Sequence, residues 1–328
     1  MTIVTLPHAH AADQFADDVR AGLTKAGQKE LPSKYLYDAL GSTLFDAITL
    51  LPEYGLTRAD ARLLQRHARD VAAHVPAGTV VTELGSGNGR KTRWLLDALR
   101  KRGPLSYYPI EISSAALVSC EAELRDIESL SIVGVESEYL QGLAEVTRRR
   151  GLDTPMLVLF LGSTIGNFDA GADVRFLREV RRLLRPGDAL LLGTDLVKPV
   201  QLLVDAYDDP RGVTAAFNLN LLGRINRELG GDFDLRAFEH VARFNAHTSS
   251  IEMHLRSRRA QRVRIAACDV QIDFRGEETI WTETSHKYTP NGIAALAHNA
   301  GFEIRAQWSD AEWAFTNSLL VRNVACAH

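Results

Sequence analysis

The run Val80-Val81-Thr82-Glu83-Leu84 leads directly into Gly85-Ser86-Gly87-Asn88-Gly89. An apolar strand ending in an acid and a glycine-rich turn is where open α/β sheets take ligands, because glycine lets the backbone approach a bound molecule closely. Two ligand classes compete for such a turn. A dinucleotide fingerprint needs glycine at position 90 for close helix–strand packing beside a pyrophosphate, and this chain has Arg90 there. Glu83 with glycines at 85, 87 and 89 instead fits a turn around a cationic methionine tail and a ribose, the pattern of enzymes that bind S-adenosylmethionine (SAM).

Further candidates stand where the next apolar runs end. Glu111, closing the second run, is a carboxylate able to accept both ribose hydroxyls, and Glu138-Tyr139, closing the third, offers an acid and a flat ring to an adenine. The fourth ends in Gly162-Ser163-Thr164-Ile165-Gly166-Asn167. The Asn167 amide can hold a carboxylate without adding charge beside a sulfonium, or it can be a turn residue after glycine. In Trp281-Thr282-Glu283-Thr284-Ser285-His286, strand alternation puts Glu283 and Ser285 on one face and His286 on the other. A Glu–Ser pair can hold the N–H and the second nitrogen of an imidazole, or it can be a solvated strand face. Tyr37, Tyr54 and Tyr207 lie in polar-flanked segments and stay open between packing and chemistry.

The elements that must position these residues change character along the chain. Residues 14–23, 35–50 and 58–74 have helical spacing, and no strand is expected before Thr79. From there short apolar runs alternate with amphipathic helices as far as Asp195, the mark of a parallel sheet covered on both faces. The alternation then stops for about ninety residues. Val213, Phe217, Leu221, Ile225 and Leu229 share one long helix. Asp234 reads as the N-cap of another, with Phe233 and Phe238 as its staple. Strands of period two follow, with a phase slip near Cys268 that calls for a bulge or turn. A helix over 291–300 and runs over 302–308 and 314–321 close the sheet. The expected organisation is α/β: a Rossmann-like SAM-binding domain of residues 60–196 and 286–328, plus an α+β substrate-binding domain of residues 1–59 and 197–285.

Composition bounds the partners. The 328 residues carry 38 Lys+Arg against 41 Asp+Glu, a net −3, without the basic field that nucleic-acid binding uses. Clusters at Arg100-Lys101-Arg102, Arg148-Arg149-Arg150 and Arg181-Arg182 to Arg185 read as helix ends, each followed by an αL glycine cap at Gly103, Gly151 or Gly187. Cys120, Cys268 and Cys326 form no CxxC pair, and the ten histidines form no HExxH, so neither disulfides nor a metal are expected. No secretory apolar region opens the chain, and no run approaches the ~18 apolar residues of a membrane span. There is no GxSxG elbow, and Asp208-Asp209 read as an exposed helix terminus. A cytoplasmic monomer without nucleic-acid or membrane partners is expected.

From about Val19 to Val321 the chain resembles the histidine-specific, SAM-dependent α-N-methyltransferases that make hercynine in ergothioneine biosynthesis. The resemblance is carried by Leu51-Pro52-Glu53-Tyr54, Glu83-Leu84-Gly85-Ser86-Gly87, Phe160 to Asn167, Gly193-Thr194-Asp195-Leu196-Val197-Lys198, Ala206-Tyr207-Asp208-Asp209 and Gly212 to Asn218. It implies that Asn167 and Tyr207 hold the histidine carboxylate. Glu283, Ser285 and Tyr54 would hold the imidazole, with Met253 packed nearby. Tyr37, Phe45 and Thr214 would surround the α-amino group, with Tyr37, Asn167 and Tyr207 as the catalytic set. On the SAM side it points to Gly85, Gly87, Lys91, Glu111, Glu138 and Tyr139. The family carries Asp where this chain has Glu111, Gly-Asp-Phe where it has Ser137-Glu138-Tyr139, and a second Tyr where it has Gly55. The implied reaction is in-line methyl transfer to the α-nitrogen, three times over. Competing readings are methylation of another aromatic amino acid such as tryptophan, a non-catalytic SAM-binding protein, and an NAD-dependent oxidoreductase, which Arg90 disfavours.

Overall fold

The structure, a computed structural model, describes residues 2–6 and 11–322; His8, His10 and Cys326 lie outside them. In chain order, strand β1 (Thr2–Thr5) precedes helix α1 (Ala11–Thr24), the short strand β2 (Lys29–Glu30), and helices α2 (Ala39–Thr49) and α3 (Gly55–Ala73). An alternating series follows: β3 (Val80–Leu84), α4 (Arg93–Arg100), β4 (Leu105–Glu111), α5 (Ser114–Leu124), β5 (Leu130–Glu136), α6 (Tyr139–Arg149), β6 (Met156–Phe160), α7 (Ala172–Leu183) and β7 (Ala189–Asp195). Then come α8 (Val200–Asp205), α9 (Val213–Leu229), β8 (Phe238–Asn245), β9 (Ser250–Ser257), β10 (Gln261–Ile265), β11 (Val270–Phe274) and β12 (Thr279–His286). Helix α10 (Pro290–Asn299) and strands β13 (Phe302–Asp310) and β14 (Phe315–Arg322) complete the described chain.

These elements form two compact units, one of Met1–Pro7, Leu56–Val197 and His286–His328, the other of His8–Gly55 and Lys198–Ser285. The first holds an eight-stranded sheet in the order β1-β5-β4-β3-β6-β7-β14-β13 among the described residues. Strands β1 and β3–β7 run parallel, while β14 is antiparallel to both β7 and β13. Every residue of β6 and β7 is buried, as expected of strands covered on both faces. The chain builds outward from β3 through β4 to β5, then crosses to β6 on the other side of β3. The carboxyl ends of β3 and β6 therefore flank the point where strand order reverses, the place where such sheets open to a ligand.

The second unit has a four-stranded sheet, β2-β12-β9-β8, and a separate β10–β11 hairpin. Helix α9 packs on α2, β8 and β9. It buries Phe217, Leu221, Ile225 and Leu229 at fourfold spacing, and ends at Gly230 in the αL conformation.

Several local expectations are corrected. Strands occur before residue 79: β1 extends the large sheet along β5, and β2 pairs with β12, because backbone pairing to remote strands recruits segments too short to show periodicity. Helix α6, signalled in the sequence only by the basic cluster at its end, buries Gly142, Leu143 and Val146. Asp234 caps only the 3-10 turn Leu235–Ala237, accepting from Arg236 N–H, and Phe238 opens a strand. Pairing of β8 with β9 along its whole length outweighs the staple, although the Phe233 and Phe238 rings do pack, with centroids 5.6 Å apart. The slip near Cys268 is a 3-10 turn over Ala266–Cys268, with Asp269 at φ +49°. The basic clusters do fall at helix ends, but α6 and α7 end in extended residues, Arg150 and Leu184, without an αL glycine. Arginines cover the open carbonyls instead: Arg185 donates to the carbonyls of Thr147, Gly151 and Leu152. No helix among the described residues is long and apolar enough to cross a membrane.

At the amino ends of β6 and β7, away from the switch point, Arg150 and Asp188 form a fully buried bidentate pair at 2.6 Å. Asp188 also accepts from the backbone N–H of Met156 and Arg185. Asp188→Ala strands a buried guanidinium and is expected to cost roughly 3–5 kcal/mol of stability by denaturant titration, while SAM affinity per folded molecule is unchanged.

Candidate active site

The glycine turn after β3 is held from below by a buried carboxylate. Glu83 is fully buried; the Thr92 hydroxyl reaches its two oxygens at 2.9 and 2.8 Å, and the Tyr107 hydroxyl donates to it at 2.5 Å. Burial pushes its pKa from the ordinary 4.5 to about 7, against the pull of the Lys91 charge and these two hydroxyls. Glu83 thus ties the turn to the start of α4 and to β4. Above it Gly85, Gly87 and Gly89 have φ of +75°, +53° and +70°. A Cβ on Gly89 would lie 2.6 Å from Cys120 Sγ, and one on Gly85 would lie 3.2 Å from the Tyr139 hydroxyl. Gly85 and Gly89 are thus excluded from carrying a side chain by close neighbours as well as by φ, and Gly87, whose Cβ would meet open space, by its left-handed backbone alone.

Glu111, at the end of β4, reaches over this turn and accepts from Gly87 N–H at 2.9 Å. Its other carboxylate oxygen accepts from Ile112 N–H at 3.2 Å. Strand β5 ends at Glu136, two residues before the expected position. Glu138 is the exposed N-cap residue of α6, and Tyr139 opens that helix with its ring against Phe160 and Phe176.

Across the switch point, the turn after β6 depends on Asp60 of α3, which sequence reasoning missed. Fully buried, Asp60 accepts from Lys91 Nζ and Gly162 N–H, each at 2.9 Å, and from Asn317 Nδ2 at 3.1 Å. Gly162 has φ +70°, and a Cβ there would meet Lys91 Nζ at 3.0 Å. Ser163, at φ +59°, accepts from Asp195 N–H, and Asp195 forms a buried ion pair with Lys287 at 3.0 Å. Gly166 lies against the His286 carbonyl, 2.7 Å from where its Cβ would be. The 3-10 turn Thr164–Asn167 is fixed on all these sides. The Asn167 amide has no hydrogen-bond partner among the described residues. A cradle of left-handed glycines with the Glu111 carboxylate over it and the Lys91 ammonium beside it has the donor and acceptor chemistry to fit SAM.

The insertion unit gathers the aromatic candidates. Tyr37, Phe45 and Phe217 form a triangle with ring centroids 5.5–5.9 Å apart, extended by Tyr54 at 6.2 Å from Phe45 and by Tyr207 at 6.0 Å from Tyr54. The Tyr207 hydroxyl donates to Ser285 Oγ at 2.7 Å. Glu283 and Ser285 are buried, so the solvated-face reading of this strand is set aside. The burial alternation of β12 slips between Thr282 and Glu283, both of which are buried. Met253 is buried on neighbouring β9, with its carbonyl accepting from the Thr282 hydroxyl at 3.0 Å. Thr214, one turn before Phe217 on α9, is also buried.

Asp209 is not the exposed terminus expected. Nearly fully buried, it accepts from the backbone N–H of Arg211, Val213 and Thr214 and so caps α9. Despite burial, these donors hold its pKa below the ordinary carboxylate value. Among the described residues no group of three or more His, Cys, Asp or Glu could hold a metal.

Glu83 sets a pH dependence with an unusual sign for a carboxylate. Its folded pKa lies above its unfolded one, so its contribution to stability is fully present below about 4.5 and is lost as pH rises through about 7. The loss integrates to ~3 kcal/mol. Glu83→Gln is expected to flatten the wild-type decline in unfolding free energy between pH 5 and 8; an equal decline in both proteins would assign it elsewhere.

Residues 15–322 match the profile of the family described as histidine-specific, SAM-dependent methyltransferases. The chain is 47% identical over 317 residues to the histidine N-alpha-methyltransferase of Mycolicibacterium smegmatis, covering 95% of this chain and 96% of that protein. It is 46% identical to the histidine N-alpha-methyltransferase of Mycobacterium tuberculosis, over 93% and 94% of the two chains. The L-tryptophan methyltransferase of Psilocybe serbica is more distant, at 28% identity over 94% and 91%. Together with the α/β fold and the glycine cradle, these matches show that the chain belongs to the histidine-specific, SAM-dependent methyltransferase family.

Proposed function

We propose that this protein transfers methyl groups from SAM to the α-amino nitrogen of L-histidine, three times, giving hercynine for ergothioneine biosynthesis. The observation that carries the substrate assignment is the buried Glu283–Ser285 pair, two residues apart on one strand beside Tyr207. A buried carboxylate accepts a ring N–H at close range, and an apolar ring has none to offer. The second imidazole nitrogen meets Ser285, a partner that an indole lacks a ring atom to use. The strong matches to relatives named for histidine support the same choice.

In this reading Gly85, Gly87, Lys91, Glu111, Glu138 and Tyr139 hold SAM, which supplies a methyl group on a cationic sulfur. Asn167 takes the histidine carboxylate, with the Tyr207 hydroxyl turning from Ser285 to join it, and Tyr37, Phe45 and Thr214 surround the amine. The nucleophile is the neutral amine, and α-amino groups titrate near ~8. Neutral hydroxyl and amide groups around it leave the neutral form favoured beside a cation, so no strong base is required. Alignment of the nitrogen with the carbon–sulfur bond is worth up to roughly 7–11 kcal/mol. Each transfer forms one carbon–nitrogen bond and breaks one carbon–sulfur bond; the first two each release an amine proton, and the third, on a tertiary amine that has none, leaves a fixed positive charge on nitrogen. After the third, the nitrogen has no lone pair and the reaction stops. The Tyr37–Phe45–Phe217 ring cluster offers the aromatic surface that quaternary ammonium groups favour. A cytoplasmic, monomeric enzyme acting on a free amino acid completes the reading.

Purified protein incubated with SAM and a panel of amino acids is expected to return histidine carrying one, two and finally three added methyls by mass spectrometry. Unmodified histidine beside a methylated tryptophan would overturn the substrate assignment. Glu283→Ala is expected to lower kcat/KM for histidine by roughly 10- to 100-fold, the scale of a hydrogen bond to a charged group. Activity on an amino acid with an apolar ring should fall far less, and equal losses would remove Glu283 as the ring selector.

A further inference from the structure

Behind the Tyr207–Ser285 pair lies a set of polar residues that the proposed reaction does not use. His240, on β8, has Nε2 2.7 Å from the Tyr207 carbonyl oxygen and Nδ1 2.9 Å from Asn218 Nδ2. The same Nδ2 lies 3.1 Å from the His254 carbonyl oxygen. Asn218 is fully buried on α9, and its Oδ1 has no hydrogen-bond partner. All these residues belong to the insertion unit.

Their chemistry permits one arrangement. A carbonyl oxygen only accepts, so His254 requires the NH2 of Asn218 to face it. Flipping the amide would set two carbonyl oxygens against each other, and the observed orientation is kept although it leaves Oδ1 buried and unbonded. The other amide hydrogen then points at His240 Nδ1, which must be a bare acceptor nitrogen. A neutral imidazole with a bare Nδ1 carries its proton on Nε2, and the Tyr207 carbonyl receives it. Burial favours this neutral form, opposed by the bond to Tyr207 and by the charges of Asp208 and Asp209. The Tyr207 main chain is thus held on both sides, its N–H on the Val204 carbonyl at 2.9 Å and its carbonyl on His240.

We infer that His240, locked in its Nε2–H tautomer by Asn218, is a positioning residue that sets the Tyr207 backbone and hence the reach of the Tyr207 hydroxyl to Ser285 in the amino-acid site. This inference rests on the reading of Tyr207 and Ser285 as amino-acid-binding residues. His240→Phe keeps an aromatic ring of similar size and removes both hydrogen bonds. It is expected to raise the histidine KM roughly tenfold, with kcat changed far less and SAM affinity by calorimetry unchanged. His240→Gln can accept from Asn218 and donate to Tyr207, and should recover most of the loss. Because His240 acts through Tyr207, the double variant with Tyr207→Phe should be little worse than Tyr207→Phe alone.

An unchanged histidine KM in His240→Phe, a parallel loss of SAM affinity, or independent multiplication of the two single effects would overturn the inference. If Tyr207→Phe itself leaves the histidine KM unchanged, the reading of Tyr207 fails first and takes this inference with it. Nitrogen NMR of the wild-type protein labelled in its histidines gives a test that needs no variant. His240 should show a protonated Nε2 and a bare Nδ1 at neutral pH, and the opposite tautomer or an imidazolium would overturn the assignment.

Discussion

The sheet unit depends on one buried carboxylate, Asp60. It takes three donors from three places remote in sequence: the Lys91 ammonium beside the glycine turn, the Gly162 N–H at the end of β6, and the Asn317 amide on β14. A buried anion left unpaired is costly, so each donor is drawn to it, and together they fix the two turns that border the switch point. The same bonds explain why Gly162 is glycine, since its left-handed backbone and the Lys91 ammonium leave no room for a Cβ.

Glu83 is the companion beneath the other side of the site, and the two acids divide the labour by environment. Asp60 meets a cation and stays tied to it, whereas Glu83 is surrounded by hydroxyls and apolar packing and is pushed toward neutrality near pH 7. Their work is to hold the glycine turns in place, Glu83 through Thr92 and Tyr107 and Asp60 through the Gly162 N–H. In the insertion unit the same logic is carried by amides and imidazoles: Asn218, His240 and the backbone carbonyls settle one pattern of donors and acceptors behind Tyr207.

Much of this could be read from the chain alone. The β3 turn, the parallel strands as far as Asp195, the long helix α9 and the closing strands all carry their own pattern, because a two-sided strand or an amphipathic helix writes its burial into residue order. The motif stretches around Tyr54, Asn167 and Tyr207 are similarly local. Where reasoning failed, a distant partner decided the outcome. β1 is a strand because β5 offers an edge, Phe238 starts a strand because β9 pairs with all of β8, and Asp209 is buried because the amino end of α9 folds back over it.

Residue order by itself therefore determined the fold class, the glycine cradle with its preference for SAM over a dinucleotide, and the family to which the chain belongs. Tertiary structure alone decided that Asp60 joins Lys91 to Gly162, that Tyr207 bonds Ser285, and that His240 stands behind Tyr207. The physical reason is the same in each case. A strand or helix is specified by neighbours a few positions away, whereas a buried polar group is specified by whichever donor or acceptor the folded chain brings within about 3 Å, and no periodicity announces that partner.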